Sequence, residues 1–177
     1  MKYILTTALL LIGTLLFAQE HEEGYPFEKK LEKVTSKDSI ALYLKQISAI
    51  HTIQRKDTST KFDENSKWKL LFHRESGWRE NMPNQRHNID VLEVGKKDNV
   101  VLGQDILNVF QRFKQKVILL NQFPSAISLI PRGAPLNGAF VLVLLDDNNV
   151  VLQYTHSYPD GNQSSWYVTN SYYFKKN

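Results

Sequence analysis

The chain has 177 residues, of which 42% are apolar, 23% charged and 11% aromatic, with a formal net charge of +4 and no cysteine. That composition excludes disordered, collagenous and multi-span membrane chains. The lack of cysteine also excludes thiol nucleophiles, Cys-ligated zinc, iron–sulfur clusters, disulfide scaffolds and lipid attachment through an N-terminal Cys.

Met1-Lys2 forms a short positive tip, and an apolar run from Tyr3 to Ala18 follows, broken only by Thr6, Thr7, Gly13 and Thr14. Polar residues then begin abruptly at Gln19-Glu20-His21-Glu22-Glu23. A positive tip, an apolar core and a small boundary residue make residues 1–18 an expected secretory signal, cut after Ala18. Leu16, third before the cut, is larger than the residue usual there. As a helix the 15 residues from Ile4 to Ala18 span about 22 Å, short of the roughly 20 residues that a bilayer core needs. The segment resembles bacterial export signals that end in Phe-Ala before a Gln. The expectation is an exported protein, periplasmic or secreted, with no membrane span after signal removal.

Removing 18 of 177 residues leaves 159 and a net charge of +3. A chain of that size buries one core without staples, so residues 19–177 are expected to form a single domain. The charge is too small to argue for a nucleic-acid partner.

Residues 19–26 are polar, carry a Gly and a Pro, and predict a loose tail. Phe27, Leu31 and Val34 are spaced as on a short helix. A stronger helix follows, capped by Thr35 or Ser36, with Asp38 in its first turn. Ile40, Tyr43/Leu44, Ile47, Ile50 and Ile53/Gln54 trace its buried side, and Arg55 and Lys56 fall in its last turn. Residues 57–66 are loop-like. From Lys67 the period becomes two: Trp68, Leu70 and Phe72 point one way, and Lys67, Lys69, Leu71 and His73 the other.

After a polar stretch, Ile89–Val94 predicts a second strand, and Gly95–Asn99 a hairpin turn into Val100–Leu102. The clearest helical repeat is Ile106, Phe110, Phe113, Val117 and Leu120, with Asp105 at its start and Asn121–Pro124 as its stop. Ala126–Ile130 is a short apolar run, and Pro131–Gly138 must be a connection. Ala139–Leu145 is continuously apolar, as in a central strand covered on both faces. Short turns at Asp146–Asn149 and Tyr158–Asn162 join it to strands over Val150–Ser157 and Ser165–Tyr173. The expected fold class is α+β: an N-terminal helix, an antiparallel sheet with one long central helix, and a C-terminal three-stranded meander.

The stretch Glu75–Asn88 has 14 residues, more than an ordinary hairpin loop, and long loops are often functional. Trp78 within it is either tucked beneath its own loop or turned to a partner, because an exposed indole forfeits ~150–250 Å² of burial. Arg79 and Arg86 can pair internally with Glu75 and Glu80. With Trp78 they can instead clamp a carboxylate, phosphate or sugar. Trp78, Arg79, Arg86 and His87 are therefore the candidate binding residues, for an unknown protein or an anionic small-molecule or sugar ligand.

His73 and His87 flank the same stretch, and antiparallel pairing across it brings the two rings close. His156 joins them if its strand end lies on that side. A His73–His87–His156 zinc site or a His acid–base pair is the alternative. Against it, none of the five His residues stands in a His-x-x-x-His or His-Glu-x-x-His spacing, and no carboxylate is an obvious orienting partner.

Ser164 and Ser165 lack a Gly-x-Ser-x-Gly elbow. Asp146–Asn149 lacks the frame of a calcium loop, and Pro131-Arg132-Gly133 is not a phosphate cradle. Tyr154, Tyr158, Trp166, Tyr167, Tyr172 and Tyr173 read as cross-strand packing or as a sugar- or peptide-binding face. No catalytic site and no cofactor are implied. The leading reading is a small exported non-enzymatic binding protein of inhibitor, immunity or envelope-accessory type. The alternatives are a His-dependent, metal-assisted secreted hydrolase and a self-associating structural envelope protein.

Overall fold

The structure is a computed structural model that describes residues 25–53, 61–79, 91–120, 139–159 and 165–177. Along the chain these form β1 (Leu31–Lys33), α1 (Lys37–His51), β2 (Lys67–Arg79), β3 (Val91–Gly95), β4 (Val100–Leu102), α2 (Gly103–Arg112), β5 (Leu119–Leu120), β6 (Ala139–Leu144), β7 (Asn149–Pro159) and β8 (Ser165–Lys176). The architecture is mixed α+β with a mostly sheet core. One sheet runs in the order β1-β3-β2-β8-β7-β6-β5, and β4 also pairs with β2. Every pairing is antiparallel except that of β5 with β6, which is parallel, so the expectation of an antiparallel sheet fails at this edge.

β6 explains the layering. Its apolar run leaves neither face for water. Phe140, Leu142 and Leu144 join Ile106, Val109 and Phe110 of α2 on one face. Val141, Val143 and Leu145 share the other cluster with Ile47 of α1. Each face is thus closed by one helix, and β6, β7 and β8 form the expected meander. Its first turn is held by Asp146, whose Oδ1 accepts from the Asn148 N–H at 2.7 Å, as an Asx turn does.

β2 departs from simple alternation. Leu70 pairs with Phe174 and Phe72 with Tyr173, leaving Leu71 as the extra residue of a β-bulge. Trp68 and Leu70 face α2, whereas Leu71 and Phe72 both face α1. Phe72 therefore does not share the face of Trp68 and Leu70, and His73 does. β2 also continues to Arg79, so Glu75–Arg79 is strand where a loop is expected from the sequence.

No hairpin joins β3 to β4. Both lie antiparallel on the same side of β2, and the segment between them is an excursion from one interrupted strand. It rejoins where the Leu70 N–H donates to the Asn99 carbonyl at 3.0 Å. Gly95 is required there, because a Cβ would stand 1.9 Å from the Leu70 carbonyl oxygen.

Ser36 caps α1 as expected, its Oγ accepting from the Ser39 N–H at 3.5 Å. α1 ends at His51, and Arg55 and Lys56 lie outside the described residues. α2 stops at Arg112, well before Leu120. Lys114 takes a left-handed conformation with φ 53°, and the Gln115 N–H reaches back to the Phe110 carbonyl at 2.8 Å, closing the helix as a Schellman-type turn does. The helical spacing of Phe113, Val117 and Leu120 misleads because Phe113 still packs on Phe140, with ring centroids 5.1 Å apart, while Leu120 belongs to β5. The expected strand Ala126–Ile130, the connection 131–138 and residues 80–90 lie outside the described residues.

The expected short helix at Phe27–Val34 is a single 3-10 turn, Glu28–Lys30, followed by β1. Phe27 is fully buried, and its ring packs edge-on against Phe174 and Tyr172. Buried Asn99 holds the segment in place, its Nδ2 donating to the Phe27 carbonyl at 2.8 Å. Tyr25, read from the sequence as tail, stacks on Phe27 at 5.3 Å.

Replacing Gly95 with Ala drives a methyl group into the β2 backbone, and overpacking of this kind costs about 1–3 kcal/mol. Urea unfolding of Gly95→Ala should show a midpoint lowered to that extent. An unchanged midpoint would mean that β3 does not approach Leu70 in this way.

Candidate functional site

The three longest strands, β2, β8 and β7, lie side by side at the centre of the sheet. The two core clusters draw on them only as far as Phe72, Tyr172 and Tyr154. Beyond those residues the ribbon is more polar. Alternation from the bulge puts His73 and Glu75 of β2, Asn170 and Tyr172 of β8, and Tyr154 and His156 of β7 on the α2 side.

His73 is the hub of this row. It is 8% exposed. Its Nδ1 lies 2.8 Å from Glu93 Oε2, its Nε2 lies 2.9 Å from Asn170 Oδ1, and its ring stacks on Tyr172 at 4.5 Å. Both ring nitrogens are therefore used within the fold, which leaves neither for a substrate or a metal. Glu93 orients His73, although no such partner is evident in the sequence. The signal available was the carboxylate inside the run Val91-Leu92-Glu93-Val94. The bulge concealed it, because unbroken alternation turns His73 away from this face.

The Tyr172 hydroxyl donates to Glu28 Oε1, while Glu28 Oε2 accepts the Tyr25 N–H at 2.9 Å. Burial, reinforced by the Glu28 charge, pushes the Tyr25 and Tyr172 hydroxyls well above the ordinary phenol range. Burial pushes Tyr173 up to about 12. At neutral pH these hydroxyls are protonated, so none of them is a phenolate base.

On the α1 side, His51 Nε2 meets the Tyr173 hydroxyl at 2.8 Å. Burial lowers the His51 pKa, and the Arg74 charge adds to the effect. Burial also lowers that of His156, with Glu75 pulling the other way.

His73 pairs with Tyr172, whereas His156 pairs with Val168. Four residues along β8 amount to about 13 Å, and two strand spacings across add a separation of about 10 Å. A zinc ion with bonds of about 2 Å cannot be shared by those two rings. Among the described residues no group of three or more His, Cys, Asp or Glu side chains is arranged to hold a metal ion. His87 and Arg86 lie outside the described residues.

Trp78 and Arg79 stand at the end of β2. In the backbone register Trp78 is opposite Tyr167, and Arg79 is opposite Trp166. Trp166 is in turn opposite Tyr158 of β7. Of the tyrosines noted in the sequence, Tyr167, Tyr172 and Tyr173 are buried, and Tyr154 is half-buried and stacked on Phe140 at 4.3 Å. These four are packing residues.

A separate surface groove of about 480 Å³ lies outside β4, lined by residues including Pro26, Lys30, Lys67, Asn99 and Asp105. The nearby backbone donors are already used: the Val100 N–H by the Asp98 carbonyl and the Leu102 N–H by Asp105. Lys30 pairs with Asp98 at 2.9 Å.

Among the described residues no helix is long and apolar enough to cross a membrane. Compared with known proteins, the chain matches no family model, no curated protein and no solved structure.

The opposing influences on His156 give a test. Its imidazole should titrate below the ordinary 6.5. Glu75→Gln removes the carboxylate that favours the charged ring, so the midpoint should fall further. Because the folded pKa lies below the unfolded one, His156 contributes stability that is fully present above about pH 6.5 and lost as pH falls below it. Ring NMR shifts followed against pH decide the matter. A midpoint at or above 6.5, or one unmoved by Glu75→Gln, contradicts the placement of these two groups.

Proposed function

We propose that this is a small exported, non-enzymatic binding protein, of inhibitor, immunity or envelope-accessory type, that meets its partner at the far end of the β2–β8–β7 ribbon. One observation carries the reading. Arg79, Trp166 and Tyr158 occupy one row of register positions across three paired strands, and Trp78 stands next to it on β2. Indole and phenol rings beside a guanidinium are the groups that dominate protein recognition sites and that clamp anionic or sugar ligands. Strands also hold such groups more firmly than a loop does, which lowers the ordering cost of binding. Arg86 and His87, which follow Arg79 in the chain, belong to the proposal on their sequence character alone. Export rests on the character of residues 1–18.

The rival hydrolase reading is weakened by the same geometry. His73 spends both ring nitrogens inside the fold, and His156 stands too far along the sheet to work with it. Among the described residues the sheet ends at β1 and β5, three and two residues long, and short edges are a common defence against edge-to-edge pairing.

The double variant Trp78→Ala/Arg79→Ala should abolish capture of a native partner from an envelope fraction and leave the melting temperature unchanged. Capture equal to that of the parent protein would end this reading.

A further inference from the structure

The strongest unexplained surface follows α2. Phe113 is 45% exposed, Val117 40%, Ile118 42% and Leu119 46%. Interleaved with them, Lys114 and Lys116 are exposed. The left-handed turn at Lys114 ends the helix and throws this run along the sheet margin. There the Ile118 carbonyl accepts from the Leu142 N–H at 2.9 Å, and Leu119 pairs with Leu142. Leu119 and Phe113 consequently lie on the same side of β6.

Charge distinguishes this surface from an ordinary apolar patch. No Asp or Glu occurs anywhere between Asp105 and Asp146, and the four Lys and Arg residues in that interval equal the whole formal charge of +4. The rest of the chain is therefore balanced, and three of the four cations, Arg112, Lys114 and Lys116, stand within or next to the exposed apolar run.

We infer that residues 113–119 form a peripheral docking surface for an anionic lipid bilayer. Side chains of this pattern set their apolar members at the level of the acyl boundary while the ammonium groups meet lipid phosphates. Basic residues near an anionic leaflet each add to the attraction, within a Debye length of the surface. No spanning segment is involved, and the surface is separate from the β2–β8–β7 end proposed for partner recognition.

The test is sedimentation of the protein, as recovered after export, with vesicles of pure phosphatidylcholine or of phosphatidylcholine with phosphatidylglycerol. Binding should require phosphatidylglycerol and weaken as salt is raised. Lys114→Gln/Lys116→Gln should reduce it about thirtyfold. Ile118→Ser/Leu119→Ser should reduce it at least about tenfold without changing the charge. Melting temperatures of both variants, compared with the parent, show that the fold is retained. Equal binding to both vesicle types, retention on a polyglutamate resin but not on phosphatidylglycerol vesicles, or indifference to the apolar variant would each overturn the inference.

Discussion

One extra residue in β2 governs the way this sheet is built. At Leu71 the strand bulges, so that Leu71 and Phe72 together oppose Tyr173. Before the bulge β2 supplies Trp68 and Leu70 to the core beneath α2. At the bulge it supplies two apolar side chains to the core beneath α1, and after it His73 returns to the α2 side. An inserted residue inverts the facing of everything beyond it, so the surroundings of His73, Glu75 and the end of the strand all depend on this point. The neighbouring excursion between β3 and β4 returns to the same place, with Asn99 bonded to Leu70 and Gly95 lying over the Leu70 carbonyl.

The polar row that results belongs to the scaffold. Buried polar groups are tolerated when each finds a partner, and here Glu93, His73 and Asn170 form a continuous chain across three strands. Tyr172 covers the imidazole and is tied through Glu28 to the N-terminal segment, where buried Phe27 enters the core. Removing a Phe from such a position typically costs about 3–5 kcal/mol. Tyr25, Phe27 and Glu28 are thus integrated with the sheet. A ribbon braced in this way offers a firm base for the register of Trp78, Arg79, Trp166 and Tyr158 at its far end.

Much of this was legible in the chain. The unbroken apolar run of Ala139–Leu145 announced a strand buried on both faces, the short polar turns announced the meander, and Ser36 announced the start of α1. The failures have local causes. Alternation cannot reveal a bulge whose two residues, Leu71 and Phe72, are both apolar. Gly95 resembles a turn residue, yet its role is to permit close approach to another strand. Helical spacing continues through Phe113 and Val117 although a left-handed residue at Lys114 has ended the helix, because the following apolar residues lie along the sheet margin. For the site, His73 was visible as a candidate, but its partners Glu93 and Asn170 come from strands 20 and 97 residues away. Only the pairing of the sheet brings them together.

The most direct test is an NMR map of backbone contacts between β2 and β8 in solution. With Leu71 skipped, Phe72 faces Tyr173 and His73 faces Tyr172. Continuous pairing, with Leu71 opposite Tyr173 and His73 opposite Ser171, would contradict the facing of every residue placed beyond the bulge.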